Sequence, residues 1–143
     1  MKISTRGRYS LRMMLDLAQH YGEDFISLKD ISARQDISKK YLEQIIPFLN
    51  RSNLVIANRG HMGGYQLSRQ PSQITIFEIL VSAEGSLCPV SCMDNEPNVC
   101  PRANECITLP LWQGLYKKVY EYLNGVTLQD LIDNKTEYGD YCI

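Results

Sequence analysis

Four cysteines, Cys88, Cys92, Cys100 and Cys106, crowd the stretch CPVSCMDNEPNVCPRANEC at the spacing C-x3-C-x7-C-x5-C, and the only other is Cys142. Thiols grouped in this way can form disulfides, hold zinc or carry an iron–sulfur cluster. The N-terminus, MKISTRGRYS, has the charge of a signal peptide but no apolar run behind it and no small-residue cleavage site, so the chain reads as cytoplasmic. In that reducing compartment a disulfide framework is the least favoured use. Zinc sites usually take C-x2–4-C knuckles; only Cys88 and Cys92 form one here, and the x7 and x5 gaps are loose. Iron–sulfur clusters tolerate irregular loops. The spacing by itself leaves zinc and iron both open.

Enzyme chemistry has little to stand on. There is no Ser/His/Asp grouping, no phosphate loop and no paired carboxylates in a recognisable setting, and the two histidines are His20 and His61. The 143 residues suffice for one domain with a core, or a small domain with a helical appendage. No stretch approaches the roughly 18 apolar residues of a membrane span. The net charge of −1 hides an asymmetry: residues 1–70 carry 11 Lys/Arg against 6 Asp/Glu, residues 71–143 carry 4 against 10. A basic front half joined to an acidic back half points to a polyanion met by the front alone.

The elements that must position these residues follow from periodicity. RYSLRMMLDLAQHY (8–21) is an amphipathic helix with Leu11, Leu15 and Ala18 on one face and Met14 and Leu17 beside them; Gly22 closes it. Ser27 caps a short second helix carrying Leu28 and Ile31. Ser38 caps a third, in which Leu42, Ile45, Ile46 and Leu49 face inward and Pro47 predicts a kink or a 3₁₀ change. LVIAN (54–58) and GYQLS (64–68) read as strands joined by a glycine-rich hairpin, and TIFEILVSAE (75–84) as a helix. The cysteine loop has no periodicity. Beyond it, Leu109, Trp112, Tyr116, Val119 and Leu123 recur at 3, 4, 3, 4 like a coiled-coil seam, expected to pair with its mate in a dimer and bury Trp112, Tyr116 and Val119 there; Asn124-Gly125 ends it, and Thr127 opens a last short helix.

Three helices and a hairpin make a winged helix-turn-helix, so the fold class is mainly α with a small β-hairpin wing, plus a long dimerisation helix. The third helix would enter the major groove of double-stranded DNA by its N-terminal end while the wing reaches the neighbouring groove. Ser38, Lys39, Lys40, Tyr41, Glu43 and Gln44 lie there: the lysines suit phosphates, Gln44 an adenine edge, and Glu43 cytosine N4 or else plain solvent. Arg59, beside Gly60 at the wing tip, suits a narrow minor groove or a phosphate. Arg6, Arg8 and Arg12 are expected on the DNA backbone.

MKISTRGRYSLRMMLDLA, YLEQ, RGHMGGYQLSR and CITLPLWQGL, in order and at similar spacing over nearly the whole chain, resemble the IscR-like family of winged-helix iron–sulfur transcription regulators. The resemblance implies a homodimeric regulator, a repressor of iron–sulfur cluster biogenesis genes, with a cluster beside its dimerisation helix. It places Tyr41, Glu43, Gln44, Arg59 and Gly60 at the DNA, which strengthens the reading of Glu43 as a contact. It matches the cluster ligands to Cys92, Cys100 and Cys106. A histidine ligand in the family falls on Leu109 and a carboxylate ligand on about Arg8, neither of which fits. Cys88 is therefore a candidate fourth ligand, alongside Glu105, Asp94, Glu96 or a residue of the dimer mate. A 2Fe-2S cluster is favoured and 4Fe-4S remains open.

The chain is thus expected to divide into a DNA-binding head (1–84), a cluster loop (85–108), a dimerisation helix with a short terminal helix (109–134) and a flexible tail (135–143). A symmetric dimer would demand a roughly palindromic operator. Alternatives keep the fold and change the signal: cysteine metabolism, nitric oxide, iron, or a purely structural zinc.

Overall fold

The computed structural model describes residues 1–134; the expected tail, with Cys142, lies outside the described residues. Helix α1 (Thr5–Gln19) begins three residues earlier than its periodicity suggests, because Ser4 caps it by accepting from the Gly7 N–H. Its buried face is also rotated from the expected one: Met13, Met14, Leu17 and Ala18 are in the core, while Leu11 and Leu15 only flank it. Gly7 and Ser10 explain the rotation. Both are buried, and a Cβ at Gly7 would collide with the carboxylate of Glu84 in helix α4. Small residues there let the two helices approach closely, and Glu84 seals the contact by accepting from Ser4 N (3.0 Å) and Ser4 Oγ (2.5 Å).

Helix α2 (Leu28–Gln35) is capped by Ser27 and helix α3 (Lys39–Arg51) by Ser38. Between them Asp36 takes the left-handed conformation (φ 53°), a compact turn that a short polar side chain tolerates. Ile37 then plugs the core. Pro47 does not end α3 or turn it into a 3₁₀ helix. It sits on the exposed side, and the buried stripe Leu42, Ile45, Ile46 and Leu49 holds the helix through to Arg51. Strands β1 (Val55–Asn58) and β2 (Gly64–Leu67) pair antiparallel in the register Val55–Leu67 to Asn58–Gly64. Helix α4 (Ile76–Glu84) opens with a capping box between Thr75 and Glu78.

After Leu87 no residue is buried until Leu128. The intervening cysteine loop has one short 3₁₀ turn (Ser91–Met93), and helix α5 (Leu109–Asn124) packs against α4 without burying any residue fully. Helix α6 (Leu128–Asp133) returns to the head: Leu128 is fully buried in the same core, and backbone bonds Ile76 N to Val126 O (2.9 Å) and Leu128 N to Ile74 O (3.1 Å) fasten it beside α4. The core therefore joins residues 126–134 to the head, with Tyr116 and Leu123 of α5 packed against it. No helix among the described residues is long and apolar enough to cross a membrane.

Candidate nucleic-acid interface and cysteine loop

Burying the apolar stripe of α3 turns its opposite side outward. Ser38, Lys39, Lys40, Glu43, Gln44 and Pro47 are all exposed, and with a spacing of three and four they share one face. The wing supplies the other wall. Arg59 and Gly60 are exposed at its tip, Gly60 with φ +121°, and a Cβ at Gly63 would strike the Asn58 carbonyl, so both glycines are needed for the hairpin to close. An open groove of about 460 Å³ lies between helix and wing, lined among others by Lys39, Pro47, Asn50, Asn58 and Arg59. Of the expected DNA-contact residues, Lys39, Arg59 and Gly60 line this groove, while Ser38, Lys40, Glu43 and Gln44 are exposed along the N-terminal part of α3. Tyr41 differs from them: it is half-buried, its ring edge-on to Tyr9 at 5.3 Å, and so joins α3 to α1.

The arginines of α1 do not all behave as expected. Arg6 donates to the Ala83 carbonyl (2.8 Å) and lies over the Phe48 ring at 4.4 Å. Arg12 donates to the Gln35 carbonyl and rests over Tyr9. Arg6 thus gives its Nε and Arg12 its Nε and Nη2 to the fold, while Arg8, bonded to Thr5, is exposed. Sequence reasoning also missed the brace behind the turn. Asp16 is 1% exposed and receives Arg34 Nε (3.0 Å), Arg34 Nη2 (2.8 Å) and Gln35 Nε2 (3.1 Å). Burial pushes the Asp16 carboxyl up, but the Arg34 and Gln35 hydrogen bonds, with the charges of Arg34 and His20, outweigh it and hold the group below its ordinary value. The only sequence signal was an acid at an otherwise core-facing helical position.

The four loop thiols are free and half-buried. Cys88 donates to the Met93 carbonyl (3.5 Å), and burial first, then the neighbouring Cys88, pushes the Tyr116 phenol up. Cys106 lies just ahead of α5, where the Thr108 hydroxyl (3.3 Å) and then the Thr108 backbone hold its thiol below the ordinary value. Soft thiolates are the right donors for an iron–sulfur cluster or zinc. They are not assembled: among the described residues no three His, Cys, Asp or Glu side chains are grouped to hold a metal ion. The donor set fits such a group, and no side chain from Cys88 to Cys106 is fully buried.

Helix α5 shows two apolar sides. The expected seam residues are the half-buried ones, and of these Tyr116 and Leu123 pack on the chain's own core. The side left bare carries Leu111 (63% exposed), Leu115 (40%) and Tyr122 (70%), preceded by Ile107 (94%). Spacing by fours from Ile107 to Leu115 was the signal for this second stripe.

A family model described as an iron-dependent transcriptional regulator, Rrf2, matches residues 3–134. The chain belongs to the Rrf2 family. Protein rrf2 of Nitratidesulfovibrio vulgaris is 41% identical over 132 residues, spanning 92% of this chain and 87% of that protein. Among solved structures, IscR of T. potens is 37% identical at a TM-score of 0.74, covering 94% of this chain and 88% of its own. CymR, the global cysteine regulator of B. subtilis, is 39% identical at 0.73, covering 92% and 95%. The IscR resemblance read from the motifs is thereby borne out, as is the winged-helix fold. This Rrf2-family chain is a DNA-binding transcriptional regulator and not an enzyme.

Proposed function

We propose that the chain is a homodimeric repressor of iron–sulfur cluster biogenesis genes that senses through a bound iron–sulfur cluster in the cytoplasm. The observation that carries this reading is the placement of the thiols: Cys88, Cys92, Cys100 and Cys106 occupy the loop that runs directly into α5. Cys92, Cys100 and Cys106 would hold the cluster, 2Fe-2S in preference to 4Fe-4S, with Cys88 the candidate fourth ligand. The cluster would supply a reversible, redox-sensitive tie across an otherwise unburied loop. The bare stripe Leu111, Leu115 and Tyr122 supports pairing of α5 with its mate, and a two-fold pair supports a roughly palindromic operator.

At the DNA, Lys39, Lys40 and Arg59 take phosphates or a narrow groove, Ser38 and Tyr41 set the helix entry, and Glu43 and Gln44 read base edges, with Gly60 letting the wing backbone approach. A second reading keeps the fold and answers to cysteine metabolism; the likeness to CymR favours it. Anaerobic purification with iron, sulfide and zinc analysis separates the readings. About two irons and two sulfides per chain support the 2Fe-2S sensor, and about four of each the larger cluster. Zinc without sulfide after reconstitution leaves a structural metal, and neither metal favours the second reading. Cys88→Ala with an unchanged cluster moves the fourth ligand elsewhere.

A further inference from the structure

The base of the wing and the end of α5 are linked through Glu78 and Thr75. Arg69 follows the end of β2 by two residues, and its Nη2 donates to Glu78 Oε1 (2.9 Å) and Oε2 (3.1 Å). Its Nε is buried without a partner, so the guanidinium is held at the wing base by Glu78 alone among its side-chain partners. Glu78 Oε2 also accepts from the Thr75 N–H (2.9 Å), completing the α4 cap. Thr75 has one hydroxyl proton and two acceptors within reach, Glu78 Oε2 at 3.4 Å and Asn124 Oδ1 at 3.1 Å. The shorter contact is with Asn124, the last residue of α5. Nearby, Tyr120 meets Phe77 edge-on at 4.8 Å, and Asn124 Nδ2 donates to Tyr120 OH (3.4 Å).

The C-terminal end of α5 is therefore fastened to the segment that carries the wing back into the head. The opposite end, adjoining the cysteine loop, leaves Leu111 bare. A displacement of α5 along its packing on α4 would be felt at this fastened end. We propose that Glu78 is a positioning residue for DNA recognition: through Arg69 it sets the base of the wing, and through Thr75 it takes its reference from Asn124, so the tilt of α5 reaches Arg59. This rests on the reading of the wing as a DNA contact. The members form a continuous hydrogen-bonded chain from Arg69 through Glu78 and Thr75 to Asn124, and the coupling along it is what the variants below measure.

The test uses the full chain with Glu78→Gln, Asn124→Ala and Arg59→Ala, singly and in pairs. Amide exchange needs no DNA: Glu78→Gln and Asn124→Ala should each speed exchange at residues 64–67 several-fold and leave α1 unchanged. Binding is read on duplexes that the wild-type chain selects from a random-sequence pool. Each tie variant should weaken binding roughly 3- to 10-fold in the wild-type background and by little in the Arg59→Ala background. Unchanged exchange at residues 64–67, or losses that multiply fully in the Arg59→Ala background, would overturn the role. A wild-type chain that selects no duplex overturns the reading of the wing as a DNA contact, and this role with it, even where exchange shows the tie.

Discussion

Removing Arg34 should cost stability chiefly by stranding Asp16. In the folded chain Asp16 is 1% exposed and takes two of its three side-chain hydrogen bonds from Arg34, whose side chain is 38% exposed. Breaking a buried ion pair from one side costs about 3–5 kcal/mol. Water already screens the outer face of Arg34, which argues for a cost at or just below the bottom of that range, about 2–3 kcal/mol. Arg34→Ala should lower the urea midpoint accordingly at pH 7. In wild type the Asp16 carboxyl is held below its unfolded value, so its stabilisation is full above that value and is lost as pH falls through the folded one. In Arg34→Ala burial acts with less opposition, the folded value rises, and the penalty shrinks on acidification. The gap between the two proteins should therefore narrow from pH 7 towards pH 4. Arg34→Ala/Asp16→Asn should recover about half the loss, about 1 kcal/mol, because an amide carries no charge to strand. A double variant as unstable as Arg34→Ala at every pH would refute the reasoning.

Further expectations concern the surface and the core. Lys39→Ala and Lys40→Ala should weaken DNA binding on all sequences and each lower the salt slope by about 0.9, read from affinity against salt concentration. Glu43→Ala should instead relax discrimination between base pairs while general affinity holds or rises, which a panel of single-base operator variants would show. Leu128→Ala should cost about 3–5 kcal/mol in urea unfolding, because α6 is part of the head's core. Leu111→Glu with Leu115→Glu should yield monomers in sedimentation with the head still folded, since neither side chain packs in it.

Capping and periodicity made much of this chain legible. Ser27, Ser38, Thr75 and Thr127 each mark a helix start that the structure confirms, because a capping hydroxyl acts within its own turn. The hairpin is equally local. The outward face of α3 followed from its inward one, since burying Leu42, Ile45, Ile46 and Leu49 leaves Glu43 and Gln44 no other side. The thiols and their spacing were visible from composition, and so was the kind of donor they offer.

Relations between distant segments were decided by packing alone. Whether Arg6 and Arg12 face a phosphate or a carbonyl depends on Ala83 and Gln35 arriving beside them. The rotation of α1 follows from the fit of Gly7 against Glu84, and Asp16 is tolerated in the core because Arg34, eighteen residues away, reaches it. Helix α6 joined the head although it follows α5 in the chain, and Thr75 met Asn124, forty-nine residues away, at the end of α5. Periodicity says which side of a helix is buried. Only the tertiary arrangement says against what, because hydrogen bonds and van der Waals contacts act over a few ångströms of space, whatever their separation along the chain.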